Sequence, residues 1–257
     1  GKPLRQRRYY YSEAFYASAN AEYYGITGDK VCLERARRAY NMYWDLAHGA
    51  PDPVGMPPKT IPETRSGRAF GLPMIILNVI SILLRVDPER KALYEERSAR
   101  CVDEIFRYHV KPELKCVLEN VAQDGAARLY YTEGRIVNPG HDIEGVWFLL
   151  EHAKRTGDRE LAKYFYPKLR HYYRFMAGRA PSSTMRGSGR NTLIRSWDYF
   201  YNSGGWDDYP PQLYIHAHKL HDAAPAVGSS HVIRAAKILR GTAAELGIED
   251  DIGMYNA

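Results

Sequence analysis

Residues 24–30, Tyr-Gly-Ile-Thr-Gly-Asp-Lys, decide the fold because they join two helical patterns through a single turn. The pattern before the turn runs from Ser12 to Ile26, and the pattern after it runs from Asp29 to His48. Both show the apolar periodicity of an amphipathic helix, with Ser12 as a candidate cap of the first. Glycine is favoured just past a helix end, so Gly28 marks the end of the first pattern. The stretch therefore predicts a tight helical hairpin.

The same Gly-Asp pair recurs at residues 157–158 and predicts a second hairpin of this kind. About eight helices are predicted along the chain. They cover residues 12–26, 29–48, 70–85, 88–110, 141–156, 158–177, 210–222 and 229–246. Long loops separate the pairs, and within a pair one helix is more apolar than the other, which favours an inner and an outer ring. We therefore predict an all-α fold in one domain, residues 1–257, as an incomplete α/α toroid of helical hairpins. An irregular helical bundle is the alternative.

Turn signals at Asp124-Gly125 and Glu133-Gly134 interrupt the helical pattern between Lys111 and Arg135. Short apolar runs such as Cys116-Val117-Leu118 lie between them. Apolar runs bounded by turn residues are typical of short strands. A small β-hairpin is therefore predicted around residues 115–135.

The composition is that of a globular protein, with 45% hydrophobic and 26% charged residues among 257. The net charge is +6, and part of the excess lies in the first eight residues. Three tyrosines and a helix follow directly, and the remaining charge is mixed in sign. Nucleic-acid binding is therefore not expected. The 21 tyrosines suit either helix packing or contacts with sugar rings.

Three features bear on the compartment of the protein. The apolar run 72–84 is too short to span a bilayer and is interrupted by Asn78 and Ser81. No signal peptide is visible. The three cysteines are widely spaced and odd in number, which favours free thiols in a reducing compartment. A cytoplasmic protein without membrane contact is predicted.

Residues 138–144, Asn-Pro-Gly-His-Asp-Ile-Glu, carry the clearest chemical signal. Residues three apart share one face of a helix, so His141 and Glu144 are expected to point the same way, with Trp147 one turn further on. A titrating base beside a carboxylate and an aromatic wall suits proton transfer on a sugar. The alternative is a surface helix whose first turn is capped by Asn138 or Asp142.

Further motifs lie, in order, at residues 8–15, 27–29, 72–78, 117–121 and 138–150. Together they resemble the N-acylglucosamine 2-epimerase and cellobiose 2-epimerase family, and the resemblance covers roughly residues 1–157. It implies an (α/α)6 barrel that epimerises the carbon next to the carbonyl of a reducing sugar. It also implies that His141 is one of two histidines that move the C2 proton, with Glu144 beside it. Arg8 and Glu13 become candidate substrate contacts, and no cofactor or metal is implied.

From about residue 158 the pattern resembles α/α-barrel glycoside hydrolases of the processing α-glucosidase type, family 63. The stretch 197–212, which includes Gly-Trp-Asp-Asp-Tyr-Pro, carries this resemblance. It implies that Asp207 is the general acid, with Trp206 and Tyr209 as aromatic residues that face the sugar. Considered without the resemblance, Asp207 and Asp208 would be a turn and helix cap.

The two resemblances suggest a hybrid of residues 1–157 and 158–257, either an engineered chimera or a divergent family. The eight predicted helices form fewer than the six hairpins that the ring needs, so an incomplete toroid is expected, closed by a homodimer or arranged as four hairpins. Neither resemblance supplies a second catalytic group. His216, His218, His221 and His231 are candidates for a second base; the first three could alternatively form a metal site or a solvated helix face.

Three functions are therefore open. The first is a sugar 2-epimerase or isomerase that uses His141. The second is an α-glycosidase that uses Asp207. The third is a catalytically incomplete scaffold. The partner in each case is a mono- or oligosaccharide.

Overall fold

The computed structural model describes residues 9–58, 61–183, 193, 214, 217–220 and 226–255. These residues form two compact units, one up to Thr156 and one from Gly157 onward. The boundary lies beside the Gly-Asp pair at 157–158.

The first unit begins with the predicted hairpin. Helix α1 spans Tyr11–Thr27 and helix α2 spans Lys30–Ala47. Between them Gly28 takes the left-handed conformation, with φ of 72°, and its N–H donates to the Tyr24 carbonyl at 2.8 Å. The Asp29 carboxylate accepts from the Val31 N–H at 2.9 Å and caps α2. The joint is therefore confirmed, but Ser12 is not the cap of α1, because α1 already begins at Tyr11 without a side-chain cap.

Helix α4, Gly71–Val86, is the centre of the first unit and follows the single-turn helix α3, Pro62–Arg65. Its buried side chains include Met74, Ile76 and Leu83, because apolar residues surround almost its whole circumference. It packs against α1, against α5, Lys91–Glu104, and against α6, Pro139–Thr156.

The predicted helix 88–110 is three elements in the structure. A 3₁₀ turn, Pro88–Arg90, leads into α5, and a π-helical turn, Ile105–His109, ends it. Among the described residues no single helix is long and apolar enough to cross a bilayer. Gly71–Val86 and Pro88–His109 pass that test only together, as a pair bent by 120°.

The strands differ in position from the predicted hairpin. Strand β2, Val110–Lys111, pairs antiparallel with β3, Cys116–Val117, so the hairpin begins earlier than residue 115. Strand β4, Asn120–Val121, pairs instead with β1, Arg68–Ala69, from the loop before α4. The local turn signals could not show this pairing because its partners are some fifty residues apart in the chain.

In the part of the second unit that the structure describes, the helices are α7, Arg159–Met176, then α8, Ala226–Leu246, and the short α9, Glu249–Ile252. The Asp158 carboxylate caps α7 by accepting from the Leu161 N–H at 2.9 Å, as at the first joint. The core of the second unit contains Tyr166, Tyr173, Ala236, Leu239, Ala243 and Tyr255. The predicted helix 229–246 begins earlier, at Ala226. Most of the predicted helix 210–222 lies outside the described residues.

A buried ion pair connects the end of α4 to α2. Asp87 is fully buried, and its carboxylate accepts from Arg37 Nε at 2.8 Å and from Arg37 Nη2 at 2.5 Å. The Tyr94 hydroxyl donates to the same carboxylate at 2.7 Å. Burial acts to raise the pKa of Asp87, but the hydrogen bonds from Arg37 and Tyr94 outweigh it and hold the pKa below its ordinary value. The carboxylate is therefore charged and fully paired.

Replacing this carboxylate tests the ion pair. We expect Asp87→Asn to lower the free energy of unfolding by about 3 kcal/mol at pH 7, because Arg37 loses its buried counter-charge. The lowered pKa means that the stabilisation is present above the ordinary carboxyl pKa and is lost as the pH falls through the folded value. The difference in the free energy of unfolding between parent and variant should thus become smaller below about pH 4. Urea unfolding followed by circular dichroism at several pH values measures it.

The control is Glu89→Gln, which removes the exposed carboxylate that also contacts Arg37. Exposed ion pairs contribute about 0–1 kcal/mol, so this variant should unfold almost as the parent does. Equal losses in the two variants would contradict a special role for the buried pair.

Candidate functional site

His141 lies in the first turn of α6, where the sequence predicted it. The Asn138 side-chain oxygen accepts from the His141 N–H at 3.3 Å, so Asn138 serves as the cap that one interpretation expected. The His141 side chain remains 41% exposed. An imidazole at this position is both held by its backbone and open to a ligand.

The partner of the His141 ring is Glu119, which lies 22 positions earlier in the chain. His141 Nδ1 is 3.1 Å from Glu119 Oε1 and 3.0 Å from Glu119 Oε2. The Glu119 side chain is only 16% exposed. Sequence reasoning quoted Glu119 within a motif but gave it no role, because helix spacing relates only residues close in sequence. The motif itself was the one signal that could have found it.

Backbone hydrogen bonds hold the Glu119 segment on both sides. The Glu119 N–H donates to the Ile136 carbonyl at 3.0 Å, and the Glu119 carbonyl accepts from the Phe70 N–H at 2.8 Å. The first bond reaches the loop that leads into α6, and the second reaches the residue before α4. The carboxylate is therefore fixed relative to both helices.

The neighbouring Leu118 is fixed by His109. His109 is buried, and its Nδ1 donates to the Leu118 carbonyl at 2.9 Å, while the Leu118 N–H donates to the His109 carbonyl at 3.0 Å. Burial lowers the pKa of His109 to about 4. His109 is thus a neutral structural donor at physiological pH.

Tyr11 approaches the same carboxylate from α1. A Cβ atom added at Gly71 would lie 2.5 Å from the Tyr11 hydroxyl and 4.0 Å from Glu119 Oε1. Gly71 therefore leaves the space that the hydroxyl occupies beside the carboxylate. Burial and the charge of Glu119 raise the pKa of Tyr11, so the hydroxyl is protonated and able to donate.

Asp142 adds a second carboxyl group to this cluster. Burial and the nearby charge of Glu119 raise the pKa of Asp142 to about 6, and His141 opposes the shift only in part. Two carboxyl groups and one imidazole thus share a small, partly buried volume. Such clusters of perturbed groups are typical of sites that move protons.

The other predicted residues of the first unit are more dispersed. Glu144 is half-buried on α6, and Trp147 is 57% exposed, one turn further along the helix. Glu13 lies on α1, where it lines a groove with Arg35 and Arg38 of α2. The contacts of the described residues join His141 to Glu119, and the predicted pairing with Glu144 stays a prediction.

Several predicted residues lie outside the described part of the chain. They are Arg8, Trp206, Asp207, Tyr209, His216 and His221. Of the other candidate bases, His218 is exposed, and its Nδ1 donates to the Tyr214 carbonyl at 2.9 Å. His231 is exposed on α8. Within the described ranges, no group of three His, Cys, Asp or Glu side chains is placed to hold a metal ion.

Comparison with known proteins identifies curated relatives. No family model matches the chain. N-acylglucosamine 2-epimerase of Rattus norvegicus is 34% identical over 169 residues, which is 65% of this chain and 39% of the relative. The Homo sapiens enzyme of the same name is 33% identical over 162 residues, 63% of this chain and 37% of the relative. The chain is a relative of the N-acylglucosamine 2-epimerases. It spans about two fifths of their length.

A solved structure supports the fold of this epimerase relative. Cellobiose 2-epimerase from Bacillus thermoamylovorans superposes with a TM-score of 0.53 at 10% sequence identity, covering 89% of this chain and 60% of that one. At this identity the likeness concerns the fold alone. It confirms the predicted fold class, an all-α array of hairpins of the α/α-toroid type.

The raised pKa of Asp142 has a consequence for stability. A carboxyl group whose pKa is raised on folding destabilises the folded state progressively as the pH rises. The loss begins near the ordinary pKa of the group, about 4, and is complete above its folded-state pKa. We therefore expect Asp142→Asn to match the parent near pH 4 and to be more stable than the parent above pH 6. Thermal unfolding at pH 4, 6 and 8 measures the difference, and a constant difference across this range would contradict the assignment.

The packing of α6 against α4 can be tested at Gly145. A Cβ atom at Gly145 would lie 2.6 Å from the tip of the Phe70 ring, which is itself 2% exposed. Gly145→Ala should therefore displace α6 and lower the free energy of unfolding by about 1–3 kcal/mol.

The matched control is Gly241→Ala in α8, where a Cβ atom would have no neighbour within 4 Å. There alanine should stabilise the helix by about 0.5–1 kcal/mol, because it restricts the unfolded chain. Urea unfolding of both variants measures the two changes in the free energy of unfolding. Changes of the same sign at both positions would refute the predicted clash with Phe70.

Proposed function

We propose that this protein is a sugar 2-epimerase that moves the proton on the carbon next to the carbonyl of a reducing sugar. The observation that carries the proposal is the half-exposed His141, paired with Glu119 in a chain related to N-acylglucosamine 2-epimerases. The arrangement provides a base whose ring is held and whose face is accessible. Both are needed for general acid–base catalysis.

The chemistry requires the open-chain form of the sugar. Its C1 carbonyl acidifies the C2 proton, a neutral imidazole removes this proton, and an enolate forms, which is an enediolate where C2 carries a hydroxyl. Returning a proton to the other face of C2 gives the epimer. His141 is our candidate for one of these transfers.

The developing negative charge on the C1 oxygen needs a hydrogen-bond donor. The protonated hydroxyl of Tyr11, beside Glu119, is one candidate in the first unit. Glu144 follows His141 on α6, and the exposed ring of Trp147 offers a flat surface for a sugar. We propose these residues, together with Glu13 and Arg8, as substrate contacts.

The proposed substrate is a reducing mono- or oligosaccharide. The related proteins are named for N-acylglucosamine and cellobiose, which differ in size and in the group at C2. We propose a cytoplasmic setting because Cys32, Cys101 and Cys116 are all free thiols. The homodimer that would close the toroid stays a prediction.

Solvent exchange of the C2 proton tests the function. The protein is incubated in deuterium oxide with N-acetylmannosamine, mannose or cellobiose, and proton NMR follows the C2 signal. We expect exchange with at least one sugar, and a loss of about 10²–10⁴-fold in His141→Gln, because the general base is removed. His171→Gln, at an exposed position on α7, is the matched control and should exchange at the parent rate.

An equal rate in the His141→Gln variant would refute the role of His141. Release of reducing sugar from an α-glucoside, lost in Asp207→Asn, would instead support the glycosidase alternative. No described residue favours that alternative, because Asp207 lies outside the described ranges.

A further inference from the structure

We infer that Glu119 is a positioning residue that fixes the tautomer and orientation of His141, so that Nε2 is the nitrogen that exchanges the C2 proton. The inference rests on the proposed function and extends it to a residue to which no role was assigned. It depends on the geometry between one imidazole nitrogen and one carboxylate.

The direction of the hydrogen bond follows from its partners. Both Glu119 oxygens lie within 3.1 Å of His141 Nδ1. An ionised carboxylate can only accept hydrogen bonds, so Nδ1 must carry the proton. In the neutral ring the other nitrogen, Nε2, then has the free lone pair. Nε2 is therefore the basic atom that is left for the substrate.

Glu119 can hold the ring because its own position is fixed. Its N–H and carbonyl are bonded to Ile136 and Phe70, and the preceding Leu118 is bonded twice to the buried His109. The Glu119 side chain is 16% exposed, against 41% for His141. The more buried partner is thus the anchor, and the more exposed partner is the group presented to the ligand.

The negative charge of Glu119 is opposite in sign to the positive charge that the reaction creates on His141. When His141 takes up a proton, the ring becomes an imidazolium ion beside the carboxylate. Opposite charges at this distance favour the charged form. Among the described residues, Asp142 on α6 and Tyr11 on α1 interact electrostatically with Glu119, and burial is the first cause of the raised pKa of each. Glu119 is therefore placed to stabilise the imidazolium ion at the moment it forms.

The tautomer of His141 can be read directly in the parent protein. Nitrogen-15 NMR of the imidazole side chains distinguishes Nδ1–H from Nε2–H, and His141→Gln assigns the signals by their disappearance. We expect His141 to carry its proton on Nδ1. A proton on Nε2 in the parent protein would overturn the inference, and this measurement does not depend on any variant of Glu119.

The functional arm uses Glu119→Gln. The amide replaces two acceptor oxygens by one acceptor and one donor, so it no longer enforces a proton on Nδ1 and allows the tautomer with the proton on Nε2. We expect kcat for C2 exchange to fall about a hundredfold or more while KM stays unchanged, and the NMR signals to shift to Nε2–H. Glu113→Gln, which replaces an exposed carboxylate in the turn of the neighbouring β2–β3 hairpin, is the control and should change neither quantity.

The outcomes separate the two proposals. An active parent protein whose Glu119→Gln variant keeps its kcat overturns the positioning role alone. A parent protein that exchanges no C2 proton with any of the three sugars overturns the proposed function. An increase in KM without a change in kcat would make Glu119 a substrate contact and would also overturn the positioning role.

Discussion

The backbone hydrogen bonds of Glu119 are the constraint on which the candidate site depends. One bond joins it to Phe70, at the start of α4, and the other to Ile136, three residues before α6 begins. Helices α4 and α6 also pack against each other directly. The backbone of one residue thus sets the position of a carboxylate relative to the two helices that form the site. The pairing of β1 with β4 continues this connection by two further residues in each strand.

The first unit keeps its stabilising charges apart from its reactive ones. The Arg37–Asp87 pair is buried and fully hydrogen-bonded at the far end of α4, where α4 ends and α5 begins. At the other end of α4, Glu119 and Asp142 lie close enough for one to raise the pKa of the other. Clustered carboxyl groups are unfavourable for folding and useful for proton transfer. The first pair therefore stabilises a unit that also carries an unfavourable cluster.

The sequence predicted the parts of this structure that depend on short-range rules. The Gly28-Asp29 joint, its repeat at 157–158 and the helix that begins near His141 all follow from capping and periodicity, which act over a few residues. The fold class followed from the repetition of such hairpins. His141 could be singled out because its neighbours form a turn and the first turn of a helix.

Long-range pairing could not be predicted in the same way. Glu119 meets His141 across 22 positions, and β1 meets β4 across a longer stretch still. No periodicity connects residues so far apart. The predicted hairpin was misplaced for the same reason, since turn residues show where a chain can bend and not which strand it will meet.

The π-helical turn at Ile105–His109 changes how this region should be compared with other proteins. A π turn contains about one residue more than an α turn, and one residue corresponds to roughly 100° of rotation about the helix axis. His109 therefore faces the core, where it contacts Leu118. In an uninterrupted α-helix the same residue would point in another direction. An alignment that treats residues 91–109 as one regular helix would therefore misjudge which face His109 presents.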